Sequence, residues 1–399
     1  VWAQISIEEE LNLAYLGVEL PTGDFLGVHR RGPGLFGEAI VAVDLKTGVR
    51  KWHYQLIHHG LWDYDIPCAA ILCDIPVNGK IVKALAQPTK QDFLYVLNRE
   101  TGQPIWPIVE KKVPKGDVPG EWYSPTQPIP SKPPAYDMQG VGPDSVIDFT
   151  PELHAQGLRL IQNYRTGSLY TPPSVYKRDG TWGTLSTPTG NGGTNWPGGA
   201  YDPETHTVYV YSKRELNPLM MTPNDNPARS NMEYFSVRAQ PVSEPPLVRN
   251  GFKPGEVSVQ GLPLLKPPYG AITAIDLTKG DISWRVAHGE TPDAIRNHPA
   301  LKGLTIPRTG QTGLLGPLVT KTMLVCGDAQ MTTGPSGRRG AMLRAYDKKT
   351  GEEKAAVYMP GPQVGAPMTF SLGGVQHVVL AIGGGNVPAE LIAFRLPRA

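Results

Sequence analysis

Hydrophobic positions in this chain come in short alternating runs that break at polar turns, and one such unit keeps returning. Ile40 to Trp52 reads IVAVDLKTGVRKW, Phe93 to Trp106 reads FLYVLNRETGQPIW, and Ala271 to Trp284 reads AITAIDLTKGDISW. Met342 to Lys354, MLRAYDKKTGEEK, is a fourth copy, and Gly199 to Tyr211, GAYDPETHTVYVY, a weaker fifth. Each is a strand with a period of two, an Asp or Asn, a tight turn with Gly, and a return strand usually closed by Trp.

A small antiparallel sheet cannot bury both of its faces alone. Stacked radially, each sheet covers its neighbour, so hairpins repeated at irregular spacing predict an all-β protein, a β-propeller with long insertions. In that frame Trp52, Trp106 and Trp284 pack between blades, and Asp44, Asp276 and Asp347 satisfy turn amides. The whole of 1–399 is expected to be one propeller domain of about five blades. Pro-rich stretches at 109–134 and 218–268 read as insertions lying over it.

Composition sharpens this picture. Gly 45 and Pro 41 make up about a fifth of the 399 residues, which disfavours long helices. Only Glu8 to Ala14 and Pro151 to Gln162 read as briefly helical. A net charge of +2 gives no reason to expect a nucleic-acid partner. The three cysteines, Cys68, Cys73 and Cys326, have neither the spacing of a metal site nor that of a haem attachment. Cys68 and Cys73 read as buried small hydrophobes on opposite faces of one strand.

Chemistry concentrates between His58 and Lys90. HHGLWDYDIP places Asp63 before one strand-like run, a turn at Val77-Asn78-Gly79-Lys80 separates two strands, and QPTK places Lys90 before DFLYVLNRETG. An acid and a base could face one pocket. His58, His59, Trp62 and Tyr64 surround Asp63 with groups able to desolvate it or bond to it, as a general base requires. A turn acid and a solvated surface lysine would read the same way from spacing alone.

HHGLWDYDIP followed by QPTK and FLYVLNRETG resembles the quinoprotein dehydrogenases that use pyrroloquinoline quinone, closest to the membrane glucose dehydrogenase branch. The resemblance runs from Trp2 almost to the C-terminus. It implies an eight-bladed propeller of which only about the C-terminal five blades are present. The missing N-terminal blades, or a membrane anchor, would then lie outside this chain.

Residue by residue, the resemblance makes Asp63 the catalytic base and gives Lys90 a hydrogen bond to the quinone C5 oxygen. Trp2 becomes the ring that lies flat against one face of the cofactor. The turn LPTGD, Leu20 to Asp24, falls at the family's metal loop, so Thr22, with Asp63, is the implied ligand of a Ca²⁺ or Mg²⁺ ion, and Asp24 a second candidate. Ordinary turn chemistry explains the same loop. Gly192 to Pro197, GGTNWP, matches a glycine-rich turn that reaches the cofactor pocket, which places Asn195 and Trp196 at the cofactor; such a turn also precedes many strands that touch no ligand.

The implied reaction is oxidation of a sugar, polyol or cyclic alcohol by hydride transfer to the quinone. SPTQP in the first insertion, and the run ending at Thr171, Pro172, Pro173 and Ser174, resemble segments of the glucose dehydrogenase branch, and that resemblance implies this substrate class rather than methanol. Without a haem motif, electrons would leave to ubiquinone or a separate cytochrome, in the periplasm. Three other readings stay open: an enzyme of the methanol and ethanol branch, a non-catalytic propeller scaffold, and a fragment that cannot bind the cofactor at all.

Overall fold

The computed structural model describes residues 1–228, 230–334, 336–384 and 386–395. Strands β1 (Ser6–Glu8), β2 (Leu13–Gly17), β3 (Ala39–Asp44) and β4 (Arg50–Gln55) pair in that order as an antiparallel meander. Strands β5 (Ile71–Val77), β6 (Lys80–Pro88) and β7 (Leu94–Asn98) form a second sheet. Asn78 and Gly79, both with positive φ, make the two-residue turn between β5 and β6. A third sheet joins Gly199–Asp202, Thr207–Lys213, Gly270–Asp276 and Asp281–Ala287; a fourth is built on Met323–Gly327, Arg339–Asp347 and Glu353–Met359; a fifth on Gln363–Leu372, Val375–Gly384 and Val387–Arg395.

Alternation along each strand sends successive side chains to opposite faces, and the two faces go to different neighbours. Leu13, Tyr15, Ile40 and Ala42 share a core with Leu85, Tyr95 and Leu97 of the second sheet. The other face of that sheet, Ile75, Ala84, Ala86 and Val96, meets Val208, Val210 and Ile275 of the third. Tyr209, Tyr211 and Ile272 then pack on Leu324, Cys326 and Tyr346 of the fourth, and Leu343 and Met359 on Leu380 and Ile382 of the fifth. This is the sequential stacking of a propeller.

The repeated Trp makes the join. Trp52 donates its indole N–H to the Arg99 carbonyl at 3.2 Å and covers Gly102, where a Cβ would lie 2.6 Å from the ring. Trp106 covers Gly280 and Trp284 covers Gly351 in the same way. All three glycines close the turn of the next unit at positive φ, so the ring lands where only Gly gives both the turn and the clearance. The acids at the turns act locally, as expected: Asp44 Oδ1 accepts from the Lys46 and Thr47 amides, and Asp347 Oδ1 from those of Lys349 and Thr350.

A helix, Pro151–Ile161, forms as expected, with Thr150 capping the Leu153 N–H at 3.1 Å. With Trp182, Met220 and Leu264 it builds a core outside the five sheets. The 109–134 stretch is more regular than its prolines imply, because Ile108–Lys112 pairs with Thr126–Pro130. No helix among the described residues is long and apolar enough to cross a membrane.

Two expectations fail. Glu8 to Ala14 is not helical: β1 ends at Glu8, Asn12 turns at φ 55°, and β2 begins at Leu13. Pairing of β2 with β3 overrides the helix propensity of EEELNLA. Cys68 lies before β5 rather than on it with Cys73. Both are buried small side chains all the same, and burial pushes each thiol up to about 12.

Candidate active site

Asp63 sits between two anchored aromatic residues. Trp62 donates its indole N–H to the Thr171 carbonyl at 2.9 Å, and the Tyr64 hydroxyl donates to the Pro188 carbonyl at 2.7 Å. Both rings are buried. With its neighbours fixed, Asp63 is held at φ 58°, a left-handed conformation that Asp tolerates better than most residues. Its side chain keeps 28% of its surface open.

Lys90 comes from the turn that follows β6. Thr89 and Phe93 close that turn, with the Thr89 amide bonded to the Phe93 carbonyl at 3.1 Å and the Asp92 amide to the Thr89 carbonyl at 3.1 Å. The Lys90 side chain is 4% exposed, and its ammonium uses three acceptors: the Asp63 carbonyl at 2.7 Å, Asp63 Oδ1 at 3.1 Å and Asp65 Oδ2 at 3.0 Å. Asp65 is a site residue that the sequence reading missed. The signal was present, since the second acid of W-D-Y-D is two residues on.

Trp2 joins the same group. Its indole N–H donates to Asp65 Oδ2 at 3.3 Å, and Lys90 Nζ lies 5.9 Å from the ring centroid. The side chain is fixed at its polar edge while the residue stays 46% exposed, so ring surface remains open beside Lys90.

A glycine-rich loop closes the other side. The Gly193 amide bonds to the Lys90 carbonyl at 2.9 Å. A Cβ at Gly190 would stand 2.7 Å from Asp63 Oδ2, and one at Gly192 2.7 Å from Lys90 Cγ. Gly190, absent from the sequence reading, is therefore the residue that gives the Asp63 carboxylate its room. Asn195 and Trp196, which that reading placed at the cofactor, lie further along this loop and have local partners. The Asn195 side chain donates to the Asn191 carbonyl at 2.7 Å and accepts from the Trp196 amide at 2.6 Å, while the Trp196 ring lies over Gly365.

Thr22 is exposed on the loop after β2. Asp24 on the same loop is near enough for its charge to raise the Asp63 pKa. No group of three or more His, Cys, Asp or Glu gathers as a metal cluster among the described residues. Neither histidine bonds to Asp63, against expectation: His58 pairs with Gln55 and Glu110, and His59 with the Gly32 carbonyl and Glu121. They hold loops together instead.

The charges divide unequally. Burial pushes the Asp63 carboxyl up to about 7, against the pull of Lys90 and with a further push from Asp65 and Asp24. Burial acts on Asp65 too, but Lys90 and the Leu20 amide, 2.7 Å from Oδ1, outweigh it and hold Asp65 below the usual carboxylate value. Asp65 is the standing counter-ion of Lys90, and Asp63 is the group left free to take a proton near neutrality.

Sheets that share cores in series, with an acid, a lysine and a half-open tryptophan brought together on their connecting loops, define a propeller of the quinoprotein kind. Residues 1–378 match the family described as PQQ: Glucose/ethanol/alcohol dehydrogenase, beta-propeller domain, and the chain belongs to that family. It is 31% identical over its whole length to a probable quinate dehydrogenase (quinone) of Xanthomonas campestris pv. juglandis, covering 50% of that protein. It is 28% identical over 99% of its length to the quinoprotein glucose dehydrogenase of Escherichia coli, covering 49% of it. The chain thus spans about half the length of these relatives. Among solved structures it resembles the quinohemoprotein alcohol dehydrogenase of Comamonas testosteroni, with a TM-score of 0.58 at 23% identity, over 96% of this chain and 44% of that one, a likeness of fold.

Proposed function

We propose that this chain carries the reaction centre of a PQQ-dependent dehydrogenase that oxidises a sugar, polyol or cyclic alcohol. The observation that carries the reading is the Asp63–Lys90–Asp65 arrangement: a carboxylate with an open oxygen, poised near neutrality, beside a lysine that already has its own counter-ion. Quinate and glucose, named for two relatives, belong to that substrate class.

The residues fit a planar quinone. Trp2 offers a half-open ring fixed at its edge, Lys90 a buried cation beside it, and Gly190 and Gly192 clearance that a Cβ would fill. When bound, the quinone supplies the two-electron acceptor. Asp63 takes the proton of the substrate hydroxyl, and Lys90 places positive charge where negative charge develops. All three Lys90 donors are engaged here, so reaching an oxygen outside the protein means giving up one bond. The bond to Asp63 Oδ1 is the longest and the one most readily exchanged.

The ion, Ca²⁺ or Mg²⁺, is a narrower part of the proposal. Hard cations take six or more oxygens, and Asp63 with Thr22 offers only part of that shell, so the proton chemistry is assigned to the protein's own groups. Electrons would pass to ubiquinone or a separate cytochrome, with the protein in the periplasm. The test is an absorbance titration with the quinone and Ca²⁺, followed by dye reduction with glucose, quinate, glycerol and methanol. Turnover of the ring compounds and polyols in preference to methanol is the expected result; no quinone-dependent turnover with any of them would sink the reading.

A further inference from the structure

We propose that Glu38 is a positioning residue for the Asp63–Lys90 pair, acting through the backbone of Gly60. Glu38 lies just before β3, is 2% exposed, and is held at φ 51°. Its Oε1 has no hydrogen-bond partner among the described residues, an uncommon state for a buried carboxyl oxygen. Three residues before Asp63, the Gly60 backbone lies directly on this group: a Cβ at Gly60 would collide with both carboxyl oxygens.

Arg30 completes the clamp. Its Nη2 donates to the Gly60 carbonyl at 2.5 Å and to the Gly23 carbonyl at 3.1 Å. Next to it, His59 is tied through Nε2 to Glu121 at 2.9 Å, and Glu121 also accepts from the Gly27 amide at 2.5 Å and the Trp122 amide at 3.0 Å. The segment that carries Asp63 is therefore gripped at its base by Arg30 and Glu38 from the connection between β2 and β3, and by Glu121 from the first insertion. Glu38 has Arg30, Asp65 and Lys90 as its charged neighbours. Burial pushes its carboxyl well above the usual range despite Arg30 and Lys90, so its neutral form fills the space, and Gln is the conservative replacement. Removing the side chain leaves a gap under Gly60 and frees the turn that points Asp63 at Lys90.

The inference rests on the proposed function for its catalytic consequence, but its structural part is testable without cofactor. Glu38→Ala, Glu38→Gln and Gly60→Ala are made in the full chain and treated with an amine-acylating reagent, with labelling read by mass spectrometry. Lys90 is compared with Lys348, a buried lysine paired to Asp202 at 2.6 Å on sheets remote from the site. Local opening in Glu38→Ala and Gly60→Ala is expected to raise Lys90 labelling about tenfold with Lys348 unchanged, and Glu38→Gln to label as the parent does. Lys90 protection equal to the parent in both variants, or Lys348 rising in step with Lys90, overturns the proposal. In the quinone-loaded protein, kcat is expected to fall in Glu38→Ala with KM kept, and to be rescued in Glu38→Gln. A parent that binds no quinone overturns the proposed function, whereas the labelling of Lys90 still decides the structural role of Glu38.

Discussion

Asp65 holds Lys90 from one side at 3.0 Å while its other oxygen is fixed by the Leu20 amide at 2.7 Å, so the lysine is neutralised by an acid that cannot easily turn away. Asp63, at 3.1 Å from the same ammonium, is the second acid on one cation. One positive charge cannot fully satisfy both, and Asp63 is the more exposed of the two.

Replacing Asp63 by Asn keeps the shape and removes the proposed base. Turnover is expected to fall about 10²- to 10⁴-fold, the usual range for general-base help, while the absorbance titration with quinone changes little. Steady-state dye reduction beside that titration checks it; near-parental turnover would remove Asp63 from the proton step.

Activity limited by Asp63 should rise with pH through about 7, the value to which burial raises it before any cation binds. Asp65→Asn removes a negative neighbour and leaves Lys90 to Asp63 alone, so the acid limb should move to lower pH. The sign for stability is opposite to that of a salt-bridged acid. Between its ordinary value of 3.8 and about 7 the folded Asp63 keeps a proton that the unfolded chain has released, so its contribution to stability is lost as pH rises across that window. A kcat/KM profile and denaturant unfolding at several pH values check the two statements.

Lys90→Ala strands two acids in a part-buried site. Removing one partner of a buried pair typically costs about 3–5 kcal/mol, here at the low end because Asp63 keeps some contact with solvent. Chemical unfolding should show the loss, and quinone affinity and rate should both drop; an unchanged titration would break the proposed contact.

Gly190→Ala is expected to lower turnover more than stability, because its Cβ would meet Asp63 Oδ2 rather than a backbone wall. Gly192→Ala should cost stability as well, since φ 70° strains any L side chain, by about 1 kcal/mol or more. Comparing kcat and the unfolding midpoint in the two variants separates the effects.

Far from the site, Trp52→Ala should destabilise by about 3–5 kcal/mol, as large core truncations do, through loss of the contact with Gly102 and of the bond to the Arg99 carbonyl. Loss below about 1 kcal/mol, the size of a surface change, would mean that the ring does not join the first two sheets.

Much of this was legible in the sequence because it is local. Hairpin strands declare themselves by a period of two, and their turns by Asp and Gly at fixed offsets, so the hairpins at 40–52, 271–284 and 342–354 form where expected, whereas the unit at 93–106 forms its first strand and turn but returns with only an isolated Leu97–Pro104 bridge. Trp2, Asp63 and Lys90 were reachable through resemblance, and the structure brings them together. Apart from Asp65, a local neighbour of Asp63, what escaped depends on distant segments meeting. Glu38 belongs to no motif and gains its place only when Gly60 lies on it; Gly190 looks like any loop glycine until Asp63 arrives beside it. Glu8 to Ala14 misled because helix propensity is a property of the segment, whereas pairing with β3 is a property of the fold.

The contact between each hairpin tryptophan and the next unit's glycine has an architectural consequence. Trp106 finds Gly280 although the entire second insertion and the helical core intervene along the chain. Spacing between adjoining blades is therefore gauged by a side chain touching a turn, and the length of the connecting peptide is left unconstrained. A scaffold measured in that way can take on long loops, and with them new rims to its pocket, without any change to the ring beneath.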